Sequence, residues 1–303
     1  MFDTKFIYVI MYLVVKCGNR NVKKWGDKPM NVKLDGKEAS KEIYDRIKRG
    51  QKYCKEDKIL AIVTVGDDEA SKVYVNNKKK KAVECGYKYM HIQMSGNTNF
   101  FELENVIKNL NENVDVKGII IQKPLTEELE RWNVDNLIDP KKDIDGFHPM
   151  SDFDSCTPRG IIHLLDYYNV PYEGKNVVIA GRSNIVAKPL AKMLMDSNCT
   201  VTMIHSKTPE PTVRYLIENC DVFVSAIGKP KYWTEDYFNC SHKKIALVDV
   251  GINRVFNEEL NKNVVVGDVD PRCYEYFDYY TPVPGGVGLM TVATLIDNLS
   301  NTN

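Results

Sequence analysis

Zinc-ligand spacing is missing from this sequence. Its eight cysteines, at positions 17, 54, 85, 156, 199, 220, 240 and 273, form no CxxC pair, and its five histidines form no HExxH. No metal site is expected. A chain of 303 residues can bury a core without disulfide staples, so the cysteines read as free thiols in a reducing compartment. Excess charge is missing as well. Lys plus Arg equals Asp plus Glu at 41 each, which leaves no net field to attract nucleic acid or an acidic membrane surface. Small, specific ligands fit that balance better. Long apolar runs are scarce: "FIYVIMYLVV" (6–15) is too short for a membrane-spanning helix, which needs roughly 20 residues. A signal-peptide core can be that short, but Asp3 and Lys5 precede it and no clear small-residue cleavage site follows. Residues 1–30 are therefore set apart as an N-terminal extension, for which organelle targeting, a stray extension and an added strand all stay open. Internal repeats and low-complexity tracts are absent.

What is present is an alternation. From about residue 58, short apolar runs recur: "ILAIVTVG", "YKYMHIQM", "KGIIIQ", "NVVIAG", "TVTMIH", "DVFVSAIG", "KIALVDVG" and "NVVVGDV". Between many of them lie amphipathic stretches such as "FFELENVIKNLNEN" and "VAKPLAKMLMDSN". Apolar strands separated by helices predict parallel sheets covered on both faces, so the fold class is α/β. The polar loop "DFDSCTPRG" (152–160) and the helical pattern "GIIHLLDYYNV" after it suggest a boundary. Two α/β lobes fit, the second a Rossmann-like parallel sheet, with ligands expected at the carboxyl ends of strands and in the cleft between the lobes.

Four consecutive lysines, Lys78 to Lys81, stand in "SKVYVNNKKKKAVECG". A lysine run is ordinarily a solvated helix face. At about 100° per residue, however, Ser71, Tyr74, Val75, Lys78, Ala82 and Cys85 fall near one line. Lys80 points to the far side, and Lys79 and Lys81 flank the stripe. An ammonium beside apolar surface loses hydration, which favours a neutral, reactive amine. Lys78 is the candidate among the four.

"VVIAGRSNIVAKPLAKML" places Gly181, Arg182 and Ser183 at a strand-to-helix turn, where a helix amino terminus offers N–H groups to phosphate. The full GxGxxG fingerprint is lacking. So is the acidic residue that accepts from a ribose hydroxyl, because the next strand ends in Ser206, Lys207 and Thr208. Arg182 with Ser206 suits a 2′-phosphate instead, which favours NADP over NAD; a surface salt bridge is the other reading of Arg182. Gln122 closes the strand "GIIIQ" at a position where polar groups meet ligands, or where they merely fix a loop. Asp143 and Asp145 lie two apart, so in extended chain they face opposite ways. One can serve a ligand while the other supports the turn. "TPVPGGVGLMTVATLIDNL" supplies glycines 285, 286 and 288, which let backbone approach a ligand closely or simply make the turn.

These segments in this order resemble the bifunctional methylenetetrahydrofolate dehydrogenase/cyclohydrolase (FolD) family over roughly residues 31–300. The resemblance rests on "VGDDEASKVYVNNK", "IIIQKPL", "KKDIDGFHP", "CTPRGI", "GRSNIVAKPLA", "HSKT", "GDVD" and "TPVPGGVGLMT". It implies Lys78 as the catalytic lysine, Tyr74 stacked on the folate, Gln122 in contact with Lys78, and Asp145 on the amino edge of the pterin. Ile121, Lys123 and the stretch Pro284, Gly285, Gly286, Val287 and Gly288 would line the folate cleft. Gly181, Arg182, Ser183, Ser206 and Ile252 would hold NADP. It further implies a folate-binding catalytic domain of residues 31–155 plus 282–303, an NADP-binding domain of 156–281, and a homodimer. The cytoplasm is the expected compartment, or an organelle if the extension directs the chain there. Two positions depart from the family pattern: Lys123 stands where leucine is usual and Leu289 where proline is usual. Ala187 stands where glycine is common, and a small residue suffices there. The competing readings are a dehydrogenase without hydrolysis, another two-lobed NADP oxidoreductase of the shikimate type, and a nucleotide-responsive binding protein without turnover.

Overall fold

The computed structural model describes residues 31–53, 57–239 and 244–302. The expectations for residues 1–30 lie outside the described residues.

The first sheet has three strands, β2 (Ile59–Val65), β3 (Lys88–Met94) and β4 (Val116–Ile121), in the order β3-β2-β4 and all parallel. Its central strand, "ILAIVTV", is buried along nearly its whole length, which is why it reads as a continuous apolar run. β3 alternates exposure along "KYMHIQM", as an edge strand does. Between β2 and β3 runs helix α2 (Glu69–Glu84), started by Asp68, whose carboxylate accepts from the Ser71 N–H at 2.6 Å. Helix α3 (Phe100–Glu112) opens with a full capping box between Asn99 and Glu102. One-turn α4 (Glu127–Glu130) and a 3-10 turn (Val134–Leu137) follow β4.

The second sheet has six strands, again all parallel, in the order β1-β11-β8-β7-β5-β6. These are β1 (Val32–Lys33), β5 (Asn176–Ala180), β6 (Thr200–Ile204), β7 (Val222–Ser225), β8 (Lys244–Asp249) and β11 (Phe277–Tyr280). Helices α5 (Cys156–Tyr167), α6 (Ala187–Asp196) and α7 (Glu210–Glu218) come with this half, and α1 (Gly36–Tyr53) follows β1. The last helix, α8 (Val287–Ser300), is buried on nearly every side and packs against α1, α2 and α5. One core cluster accordingly joins Leu34, Ile43 and Val75 to Ile161, Val177, Met290 and Leu295. Two parallel sheets with helices on their faces make the fold α/β, as the alternation predicts.

One strand differs from expectation. "NVVVGDV" does not join a parallel sheet; its strand β10 (Lys262–Val266) pairs antiparallel with β9 (Asn253–Asn257) in a separate two-stranded hairpin. The link between them is only residues 258–261, too short for the crossover that a parallel pair requires.

Candidate functional site

The helical stripe predicted around Lys78 is present. Ser71, Val75, Lys78, Ala82 and Cys85 are buried, Tyr74 is half-buried, and Lys79 and Lys80 are exposed. The neighbouring lysines have surface partners: Lys79 lies 5.4 Å from the Tyr89 ring centre, and Lys81 pairs with Glu84 at 2.9 Å. Lys78 keeps only 8% of its surface exposed, and its ammonium turns to the end of β4. There it donates to Gln122 Oε1 at 3.2 Å, and Asp145 Oδ2 lies 3.7 Å away. A cation so nearly enclosed needs both an acceptor and a counter-charge, and Gln122 and Asp145 supply one each.

Each partner is held by its own surroundings. The Gln122 N–H donates to Val63 O at 2.9 Å, continuing the sheet one residue past β4, and its Nε2 donates to Lys123 O at 2.8 Å. The Asp143/Asp145 pair divides as the spacing suggests. Asp143 turns into its own loop, accepting from the N–H groups of Gly146 (3.2 Å) and His148 (2.7 Å), whereas Asp145 faces Lys78. Burial pushes the Asp143 carboxyl above the usual range, with the His148 N–H pulling down and the Asp145 charge adding to the rise. Gly146 permits this arrangement: its φ is +71°, and a Cβ would stand 2.5 Å from Asp154 C. Cys156 is next to the loop, with its N–H on Asp145 O and its thiol on Ile144 O, each at 3.1 Å; burial holds that thiol well above the ordinary value. Burial also raises the Tyr74 hydroxyl, against the charge of Arg254. Arg254 on β9 was not anticipated from the sequence.

A second group gathers at the carboxyl end of the larger sheet. Ala180 and Ile204 are partners across β5 and β6, so Gly181–Ser183 and Ser206 leave adjacent strand ends. Gly181 has φ +138° and sits so close to Ala226 O that a Cβ would be 2.6 Å from it. Ser183 Oγ accepts from the N–H groups of Val186 and Ala187 at 3.2 Å each, capping the start of α6. Arg182 and Ser206 remain exposed. The donor set thus fits a nucleotide phosphate: an open backbone turn, a helix start, a guanidinium and a hydroxyl.

Two buried carboxylates behind this group also escaped the sequence reading, although "GDVD" and "DVGIN" contain them. Asp268 accepts from Ser225 Oγ (2.9 Å), Ile227 N (2.8 Å), Lys229 N (2.9 Å) and Asn253 Nδ2 (3.0 Å). Asp249 accepts from the N–H groups of Gly251 (2.9 Å), Asp268 (3.0 Å) and Val269 (2.9 Å). Together they pin the loops after β7 and β8, including the one that carries Ile252. Ile252 is 44% exposed, and its Cδ1 would lie 3.4 Å from a Cβ on Gly288, so it borders the 284–288 turn. That turn is tied to the start of α1 by Gly36 N–H on Gly285 O at 2.8 Å and leads into α8, which packs on the helix of Lys78. Among the described residues, no group of three or more His, Cys, Asp or Glu could hold a metal, and no helix is long and apolar enough to cross a membrane.

Residues 34–145 match the tetrahydrofolate dehydrogenase/cyclohydrolase catalytic-domain family, and residues 155–303 match the tetrahydrofolate dehydrogenase/cyclohydrolase NAD(P)-binding-domain family. The chain is 41% identical over 281 residues to the bifunctional protein FolD of Lachnoclostridium phytofermentans, covering 89% of this chain and 96% of that one. Against the FolD of Campylobacter hominis the identity is 37% over 277 residues, covering 88% and 94%. Among solved structures, FolD of Campylobacter jejuni superposes with a TM-score of 0.81 at 36% identity, covering 89% and 98%. The Trypanosoma brucei methylenetetrahydrofolate dehydrogenase-cyclohydrolase, complexed with NADP and an inhibitor, superposes with a TM-score of 0.83 at 29% identity, covering 89% and 96%.

Proposed function

The chain belongs to the tetrahydrofolate dehydrogenase/cyclohydrolase family, and from that premise we propose how its own residues divide the two reactions. The enzyme oxidises 5,10-methylenetetrahydrofolate to the 5,10-methenyl cation and then hydrolyses that cation to 10-formyltetrahydrofolate. When bound, NADP⁺ supplies the hydride acceptor. Gly181, Arg182, Ser183 and Ser206 hold its phosphates, and Ile252 borders its nicotinamide end. For the oxidation the protein's task is alignment of two bound molecules. Tyr74 supplies a flat face for the folate, and Ile121, Lys123 and residues 284–288 line its cleft. Asp145 offers a carboxylate to the paired donors of the pterin's amino edge.

For the hydrolysis, water adds at the amidinium carbon and Lys78 Nζ exchanges the protons that open the ring. Gln122 keeps the amine aimed. The observation that carries this reading is the enclosed Lys78 ammonium, held 3.2 Å from Gln122 Oε1 and 3.7 Å from Asp145 Oδ2. Residues 31–155 with 282–303 form the folate-binding unit in this reading, and 156–281 the NADP-binding unit. Helix α8 packs on α1 and α2 of the first unit and also on α5 at the start of the second. The enzyme works as a homodimer in the cytoplasm, or in an organelle if residues 1–30 direct it there; light scattering of the purified protein and imaging of a tagged chain test these two statements.

The deciding experiment mixes purified protein with 5,10-methylenetetrahydrofolate and NADP⁺ and follows reduced nicotinamide and methenyl absorbance separately. Wild-type protein gives reduced nicotinamide without lasting methenyl. Lys78→Met loses hydrolysis by a factor on the order of 10² to 10⁴, the worth of general acid–base help, while more of the oxidation survives. Hydrolysis at the wild-type rate in that variant would refute the role of Lys78. Accumulation of methenyl product by the wild type would point to a dehydrogenase alone.

A further inference from the structure

We propose that Lys123 and Asp135 form a positioning pair that sets which end of the Gln122 amide faces Lys78, and so governs the hydrolytic step. The proposal rests on the reading of Lys78 given above. A primary amide has one accepting and one donating end, and only the oxygen can receive a proton from an ammonium. The Gln122 side chain would be useless to Lys78 if its NH₂ group faced the amine. What fixes its sense is the carbonyl of Lys123, an acceptor alone, which takes Gln122 Nε2 at 2.8 Å and leaves Oε1 for Lys78.

That carbonyl is anchored through its own residue. Lys123 Nζ donates to Asp135 Oδ2 at 2.7 Å, across twelve residues of chain, and the Asp135 side chain is 12% exposed. A carboxylate so enclosed needs a charged partner, and Lys123 is the cation paired with it. The same ammonium lies 5.6 Å from the centre of the Phe147 ring, two residues beyond Asp145. One lysine side chain therefore joins the end of β4, the 3-10 turn and the loop that carries Asp145; the first and last of these supply the two partners of the Lys78 amine. Asp135 acts through Lys123 and Gln122; it touches no reacting atom.

The test uses the full-length protein with Lys123→Leu, Lys123→Arg, Asp135→Asn and the double change Lys123→Leu/Asp135→Asn. Methenyl hydrolysis and NADP-linked oxidation are measured separately, each as kcat and KM. Asp135→Asn should lower kcat for hydrolysis about tenfold with KM for the folate within about twofold, Lys123→Leu should show the same fall in kcat, and in both the oxidation should fall less. The double variant should be no worse than the poorer single one, because both remove one interaction. Lys123→Arg, which keeps a cation for Asp135, should recover most of the hydrolysis. Losses that multiply in the double variant, a change confined to KM, or a parallel fall of both reactions would overturn the proposal. If Asp135→Asn does not fold, Lys123→Leu against Lys123→Arg makes the same comparison. Failure of the wild type to hydrolyse methenyl substrate would instead overturn the reading of the site, so the two failures are distinguishable.

Discussion

Asp249 sits almost fully enclosed at the end of β8, and burial pushes its carboxyl up to about 7 despite three backbone N–H donors, with the charge of Asp268 adding to the rise. The folded protein therefore keeps this proton over a range in which the unfolded chain, with an ordinary carboxyl, has released it. The stability that comes from this group is complete below the unfolded value and is lost as pH rises through about 7. Between pH 5 and 7 its share of the slope approaches about 1.4 kcal/mol per unit. Thermal melting across pH 5 to 8 should show a steeper decline for the wild type than for Asp249→Asn. The variant melts lower overall, because its amide NH₂ must face a backbone donor. A variant curve parallel to the wild type would remove Asp249 from the account. Lys78 was legible in the sequence because helical periodicity singles it out of four identical neighbours. Asp135 was not, since an ion pair across a 3-10 turn has no period to betray it. Arg254 escaped for a similar reason: its neighbour Tyr74 is 180 positions away.

At the level of elements, three helices end in the same manner. None of α3, α7 and α8 has a basic residue in its own last turn. Each receives a lysine from elsewhere. Lys142 donates to Leu110 O, Asn111 O and Asn113 O (2.6–3.2 Å), Lys244 to Glu218 O and Cys220 O (3.0 and 3.3 Å), and Lys58 to Ser300 O and Thr302 O (2.8 and 2.5 Å). The cation meets both the orphan carbonyls and the negative end of the helix dipole. Lys58→Met should cost about 1–3 kcal/mol by stranding carbonyls at the end of α8. Urea unfolding measures it as a lower midpoint with an unchanged slope; an unchanged midpoint would deny the cap any role. Strands β2, β4, β5, β7 and β8 were readable because burial on both faces demands unbroken apolar runs. β1, β9 and β11 were not, for "VK", "NRVFN" and "FDYY" carry no such run and become strands only through their neighbours.

Over the whole molecule, the α/β class and most strands followed from alternation alone, whereas the order β1-β11-β8-β7-β5-β6 did not, since pairing between distant segments leaves no local mark. The larger sheet presents Arg182 and Ser206 on adjacent strand ends, and no carboxylate stands at the end of β6. NADP⁺ at about a hundred times its dissociation constant should stabilise the protein by about 2.7 kcal/mol. NAD⁺ at the same concentration should stabilise it less, and Arg182→Ala should close most of the gap in a thermal-shift comparison. Equal shifts from the two nucleotides in the wild type would remove Arg182 as the selector.

The pairing of Val32 and Lys33 with Tyr279 and Tyr280 joins residues near the start of the described chain to others within the last tenth of its length. Synthesis must therefore have passed residue 280 before this rim of the sheet can close. Until then the growing chain exposes the flank of β8 that β11 will cover, and a truncation before residue 277 would leave that unsealed border open to passing strands.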